Sequence, residues 1–163
     1  RLDMDTSGAV LFAKNPFILP ILNRLLEDKM IQRQYWALTE GKFQTKKTVY
    51  KDKIGRDRHD RRKRVVDPRK GQSAYTTVTR LKTFEGASLV NCQLKTGRTH
   101  QIRVHLSHHG HAILGDPLYS HQPASRLMLH AHSLSFTHPL TLEKVTVKVK
   151  SESFEQVLRN HKS

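Results

Sequence analysis

Two stretches of the sequence hold side chains that could do chemistry. The first, "RLDMDTSGAVLFAK" at residues 1–14, sets Asp3 ahead of a Thr6-Ser7-Gly8 turn. Small residues let backbone and ligand approach closely, and a carboxylate there could act as nucleophile or base. Taken alone, a loop aspartate is more often a cap or an exposed charge. The second stretch is "LKTGRTHQIRVHLSHHGHAILGDPLY", residues 94–119. Arg98, Gln101 and Arg103 suit phosphate or carboxylate, because a guanidinium offers a fixed fork to either anion and stays charged at any working pH. His100, His105, His108, His109 and His111 invite a metal reading. Their spacing matches neither HExxH nor a Cys/His knuckle, and no cysteine or glutamate sits close by. No metal is therefore expected, and the plain reading is a basic helix with histidines on its solvent face.

The totals bound the partner. Twenty-nine lysines and arginines against 14 aspartates and glutamates leave a formal net charge of +15 over 163 residues. A surplus this large implies a polyanion, and nucleic acid is the first candidate. Residues 51–70, "KDKIGRDRHDRRKRVVDPRK", carry ten basic and four acidic side chains, +6 in one segment. Arg56 and Arg62 are its representative candidates for phosphate contact, set against a solvated, mobile arm. There is no apolar run of membrane-spanning length, no signal-peptide pattern and no suitable amphipathic basic helix, so no membrane partner is expected. The lone cysteine, Cys92, falls in an alternating apolar stretch and reads as a buried core thiol. A disulfide framework is excluded, and a reducing compartment fits: cytoplasm, or an organelle matrix if a transit segment has been removed.

The elements that must position these residues are read from pattern. Ala9 to Lys14 is short, apolar and strand-like. Asn15-Pro16 reads as a helix start, and Ile18, Ile21, Leu22, Leu25 and Leu26 repeat at helical spacing. "IQRQYWALTEG" reads as a strand ending at Gly41. Gly55 and Pro68 make residues 51–70 a hairpin or loop. "SAYTTVTRLKTF" and "ASLVNCQLK" are strands joined at Glu85-Gly86. A short helix is predicted from about Thr99 to a C-cap at Gly110. Two more strands, "RLMLHAHSLSFTHP" and "LEKVTVKVK", precede an amphipathic helix, "ESFEQVLRNH". The sum is one α+β domain, a mixed and largely antiparallel sheet with flanking short helices.

Read together, the two chemical stretches resemble the RluA-type family of RNA pseudouridine synthases. Its signature around the catalytic aspartate is H-R-L-D-x-x-T-S-G, then small and apolar residues, then A-K. "RLDMDTSGAVLFAK" matches from the arginine onward. "TGRTHQIRVHLSHHGHAILGDPLY" matches its second hallmark nearly throughout, "RQYWALTEG" a third, and "RLMLHAHSLSFTHPLT" a fourth, so the resemblance runs from residue 1 to about 142. The family's histidine before Arg1 and the strands that precede it are not in the sequence. The resemblance thus implies the C-terminal major part of a catalytic domain over residues 1–163, incomplete at its N-terminus and without an S4-like module. Asp3 then sits at a free chain end, where fraying is the default.

The resemblance makes Asp3 the catalytic aspartate, Tyr35 the tyrosine that stacks on the target base and assists proton transfer, and Arg103 the arginine that pairs with the carboxylate. Arg1, Arg98 and Gln101 are implied to line the site; Asp5 falls at a variable position. The implied reaction is isomerisation of uridine to pseudouridine in ribosomal or transfer RNA, with no cofactor and with the protein a monomer. The residues leave three routes open: attack on the ribose, attack on the base, or removal of a ribose proton. The target base must first be everted, at a cost of a few kcal/mol. A non-catalytic basic RNA-binding module is the alternative, and a histidine-metal hydrolase is remote.

Overall fold

The computed structural model describes residues 1–162, which form nine strands and three helices. A Gly-containing turn at Glu85-Gly86, with Gly86 at φ 70°, closes a long antiparallel hairpin of β6 (Thr76–Phe84) and β7 (Ala87–Leu94). β2 (Gln32–Glu40) pairs antiparallel with β7 on one side and with β8 (Leu129–Thr137) on the other. β3 (Lys47–Tyr50) extends the sheet beyond β6. The far edge of β8 is shared. β1 (Ser7–Gly8) runs parallel to it at His130–Ala131, and β9 (Lys144–Lys148) runs antiparallel to it at Ser133–Thr137. The predicted α+β class with a mixed, mostly antiparallel sheet is what the chain adopts.

The main core joins both faces of the sheet to two helices, with Val90 and Cys92 on one face and Leu38 on the other. Leu38, Val90 and Cys92 from the strands meet Leu106 of α2 (Gln101–His108) and Phe154 of α3 (Glu152–Asn160), all fully buried. Burial pushes the Cys92 thiol well above its ordinary pKa, as befits an inert core residue. α3 starts at Ser151, whose hydroxyl accepts from the Phe154 N–H, and Glu152 and Glu155 in its first turn complement the helix dipole. A second cluster lies further along the sheet, on the face that carries Tyr35. There Leu22 of α1 (Ile18–Glu27) packs with Ile31, Leu134 and Phe136. The Asn15 side-chain carbonyl accepts from the Phe17 and Ile18 N–H groups, but α1 begins at Ile18, two residues after the start expected at Pro16.

The strand expected over Ala9 to Lys14 is not formed. After the Ala9 N–H bonds the Ala131 carbonyl, β9 occupies the rest of that edge, and no strand partner remains among the described residues. The alternation has another cause: Ala9, Leu11 and Ala13 are partly buried against the α1 cluster.

Residues 51–70 form the expected hairpin, a separate two-stranded sheet of β4 (Ile54–Arg56) and β5 (Arg64–Val66). It is docked rather than free. Ile54 is buried with Ala74 and with Val104 of α2, and Val66 and Tyr119 pack against them.

Candidate active site

Asp3 is anchored by residues 6–8, immediately C-terminal to it. The Thr6 N–H closes a turn onto the Asp3 carbonyl, with Asp5 in the left-handed region at φ 67°. β1 then locks to β8 at a point only glycine allows. Gly8 has φ 128°, and a Cβ there would stand 2.3 Å from the Ala131 carbonyl oxygen. Beside it, the Ser7 hydroxyl donates to His130 Nδ1 at 2.7 Å. That direction holds because His130 Nε2 lies 2.9 Å from the Val149 carbonyl and must carry the proton. Arg126 completes the clasp, donating to Ser7 Oγ at 2.8 Å and to the Ser151 and Ser153 hydroxyls at 2.9 Å each. The fraying expected of Asp3 is thus opposed by a tether that reaches α3.

The opposing cation comes from α2. Arg103 projects from the helix's second position after Gln101, and its side chain is 5% exposed. Its Nε and Nη2 donate to the two carboxylate oxygens of Asp116 at 2.7 and 2.8 Å, and its Nη1 donates to Asp3 Oδ2 at 3.3 Å. Asp116, fully buried, also accepts from the Leu118 and Tyr119 N–H groups. Burial works against the Arg103 charge, but the pairing with Asp116 and Asp3 outweighs it and raises the pKa further. The Tyr119 ring lies 5.1 Å beneath the guanidinium, a cation–π contact. Tyr119's hydroxyl meets His100 Nδ1 at 2.8 Å, and His100 caps α2 from the left-handed region at φ 56°. Burial, then the nearby Arg103 charge, lowers the His100 pKa, so this ring is neutral at physiological pH.

Asp3, Tyr35 and Arg103 line one cleft of about 230 Å³, together with Arg1, Arg98 and Gln101. Tyr35 faces a β-bulge. The β2–β8 register slips between Gln34 and Trp36, leaving Ala131 and His132 opposite Tyr35 and turning it toward the cleft. Burial is the main cause that raises the Tyr35 pKa, so its phenol stays protonated at neutral pH. Gln101 lines the wall but its amide is occupied. It accepts from the Thr96 hydroxyl and the Arg98 N–H, and donates to the Tyr75 carbonyl and Thr76 Oγ1. It shapes the loop that presents Arg98.

Arg33 Nε and Thr6 Oγ1 are buried without a hydrogen-bond partner among the described residues, and both side chains line the same cleft. Orphaned polar groups are costly, and a wall that carries them is suited to a polar ligand.

Arg56 and Arg62 are not brought into this cleft. Arg56 lines a neighbouring cavity. Arg62 lies at the hairpin tip, 73% exposed, with its Nε and Nη2 on the carboxylate of Asp60. The histidines also depart from expectation. His105 is fully buried, between Thr76 Oγ1 and the Asp52 carbonyl, and His111 stacks on Phe43. His108 and His109 do face solvent, and their ring nitrogens come within 4.8 Å of each other and of the Asp52 carboxylate. The 2.7 Å bond between His109 Nε2 and Asp52 explains that approach, and none of the three lines the cleft.

Sequence reasoning missed Asp116, Arg33 and His100. Asp116 stood inside the quoted "GDPLY" and could have been flagged as an acid in an otherwise basic and apolar stretch. Arg33 opens the quoted "RQYWALTEG" and His100 stood among the histidines weighed as metal ligands, so both lay in flagged motifs without being assigned to the cleft.

Comparisons with known proteins give the family and the fold. A family model described as RNA pseudouridylate synthase matches residues 1–108. The chain is 45% identical over 152 residues to "Uncharacterized RNA pseudouridine synthase YhcT" of Bacillus subtilis, spanning 91% of this chain and 50% of that protein. It is 35% identical over 157 residues to "Ribosomal large subunit pseudouridine synthase C" of Haemophilus ducreyi, spanning 90% and 49%. Among solved structures, "Human RNA Pseudouridylate Synthase Domain Containing 1" superposes with a TM-score of 0.80 at 30% identity, over 93% of this chain and 67% of that one. "Human RNA Pseudouridylate Synthase Domain Containing 4" gives 0.81 at 27% identity, over 98% and 73%. The chain belongs to the RNA pseudouridylate synthase family, in its RluA-type branch. It spans about half the length of these two curated relatives.

Proposed function

We propose that the chain carries the catalytic centre of an RNA pseudouridine synthase and isomerises uridine in ribosomal or transfer RNA without a cofactor. The observation that carries this reading is the Asp3–Arg103–Asp116 arrangement at the wall of the cleft. The RNA is held by sequence-independent contacts to its phosphates, and the uridine is flipped from its stack into the cleft. Tyr35 stacks on the exposed base and recovers about 1–3 kcal/mol. Asp3, aimed by Arg103, starts cleavage of the N-glycosidic bond. The uracil then turns, C5 bonds to C1′ of the ribose, and the C5 proton leaves. The neutral His100 and the protonated Tyr35 both line the cleft and are groups through which that proton can pass.

Isomerisation replaces the C5 hydrogen, so the test is tritium release from RNA labelled at C5 of uridine. The reading expects release by the chain and a pseudouridine adduct at discrete positions. Tight RNA binding with no release would instead assign the chain as a non-catalytic RNA-binding module.

A further inference from the structure

Beside the cleft lies a second cavity of about 350 Å³, built where the β4–β5 hairpin meets the N-terminal end of α2. Its eight lining residues include Arg56, Arg64, Lys70 and Arg98, and no carboxylate. We propose that these four side chains form a phosphate site that takes a backbone phosphate of the RNA strand next to the everted uridine. The proposal rests on the reading of the cleft as a uridine site.

Four observations carry it. Arg56 and Arg64 are directly opposed across the hairpin. Like charges in that register destabilise a β-ladder, and an anion between them removes the repulsion. The hairpin's own acids have hydrogen-bond partners outside the cavity, although Asp67 stands near one of its cations, Lys70. Asp57 and Asp67 accept from backbone N–H groups of their turns, Asp60 holds Arg62, and Asp52 holds His109. Two guanidinium groups are anchored on one side only. Arg98 Nε donates to the Ser73 carbonyl at 2.9 Å and Arg64 Nη1 to the Lys63 carbonyl at 3.1 Å, which leaves their other N–H groups for a ligand. Bidentate guanidinium contact is the geometry that phosphate oxygens favour.

The fourth observation is the fixed spacing to the reacting centre. Arg98 and Thr99 line both the cavity and the cleft. The Arg64 backbone N–H donates to the Tyr119 hydroxyl at 2.7 Å, and the ring of Tyr119 supports Arg103. A phosphate seated on the hairpin is therefore held at a set distance from Asp3, and the two sites measure one short length of strand.

The test is binding of a fluorescein-labelled oligouridine across a salt series. It compares the wild-type chain with Arg56→Gln, Arg64→Gln, the double variant and Arg24→Gln, a control on α1. The proposal expects each cavity variant to lose about tenfold in affinity. It also expects each to lower the slope of log K against log salt by about 0.7, with Arg24→Gln changing neither. Because both arginines share one phosphate, the double variant should lose far less than the product of the single losses. Losses that multiply, or that match Arg24→Gln, would show diffuse attraction and overturn the site. Inorganic phosphate added at constant ionic strength separates the two sources of the anion. Little displacement is expected, whereas displacement of the oligomer by sub-millimolar phosphate from wild type but not from Arg56→Gln assigns the cavity to a free anion and overturns the RNA assignment. Tritium release is read separately. A wild-type chain that shows the binding pattern but releases no tritium counts against uridine isomerisation and leaves the phosphate site standing.

Discussion

Arg103 is clamped to Asp116 by two parallel hydrogen bonds at 2.7 and 2.8 Å, and only its remaining nitrogen, Nη1, reaches Asp3, at 3.3 Å. The buried pair fixes the guanidinium plane. The longer contact leaves Asp3, 25% exposed at its side chain, able to engage a substrate while still feeling the charge. On the proposed reading, the cation is held by one carboxylate so that it can aim another, which accounts for an acid in the core of a basic site.

Removing Asp116 should therefore damage both fold and activity. Asp116→Ala leaves Arg103 buried with one weak partner, and breaking such a pair costs about 3–5 kcal/mol. Urea unfolding reads the loss. Asp116→Asn, which keeps the volume and one acceptor, should recover part of the stability while tritium release stays low, because the plane of Arg103 is no longer fixed.

The β1–β8 contact predicts a second outcome. Gly8→Ala must relieve a 2.3 Å approach to the Ala131 carbonyl at φ 128°. Strain of this kind costs about 1–3 kcal/mol, and the simplest relief is to part β1 from β8. Thermal unfolding should shift down modestly while activity falls much further, since Asp3 loses its anchor. Unchanged activity with lowered stability would show that Asp3 is held by something other than β1.

Tyr35 separates stacking from proton transfer. Tyr35→Phe keeps the ring and should retain RNA affinity, whereas Tyr35→Ala should lose about 1–3 kcal/mol of binding to everted-base substrates. Because burial raises the phenol's pKa, the wild-type rate should show no ionisation of Tyr35 between pH 6 and 9. Anisotropy and a pH–rate profile check the two statements.

How much of this was legible in the sequence varies with the interaction. The β6–β7 hairpin, α1 and α3 were legible because local signals suffice: Glu85-Gly86 for the turn, Asn15 for one cap and the Phe154 face for the other helix. Ala9 to Lys14 misled because alternation reports burial on one face, not a strand partner, and β9 had already taken the edge. In the site, Asp3, Tyr35 and Arg103 came from motif order. Asp116 did not, since its role depends on a contact 13 residues away in chain that only the fold creates. Arg62 looked like its neighbours in a run of charge, and only the structure distinguishes it, held by Asp60, from Arg64, turned into the cavity.

Two histidines whose pKa is lowered should weaken the fold in mild acid. His132 stacks on Trp36 at 4.4 Å and bonds Asn91 at 2.7 Å, and burial, with His130 and Lys148 nearby, pushes its pKa down to about 4. His105 is lowered mainly by burial as well. A base whose folded pKa lies below its unfolded value of about 6.5 binds more protons when unfolded. Its contribution is whole above that value and is lost as pH falls toward 4. The urea midpoint should therefore drop between pH 7 and 5, and His132→Gln should flatten that drop.

The most direct measurement is single-turnover tritium release by Asp3→Asn, with oligouridine affinity and thermal unfolding followed on the same preparations. Arg103 keeps its two bonds to Asp116, so the variant should fold and bind RNA as the wild type does. Its release rate should fall by about 10²–10⁴-fold or more, the range for loss of a positioned catalytic group. A variant that releases tritium at the wild-type rate would contradict the assignment of Asp3 and, with it, the chemistry assigned to the cleft.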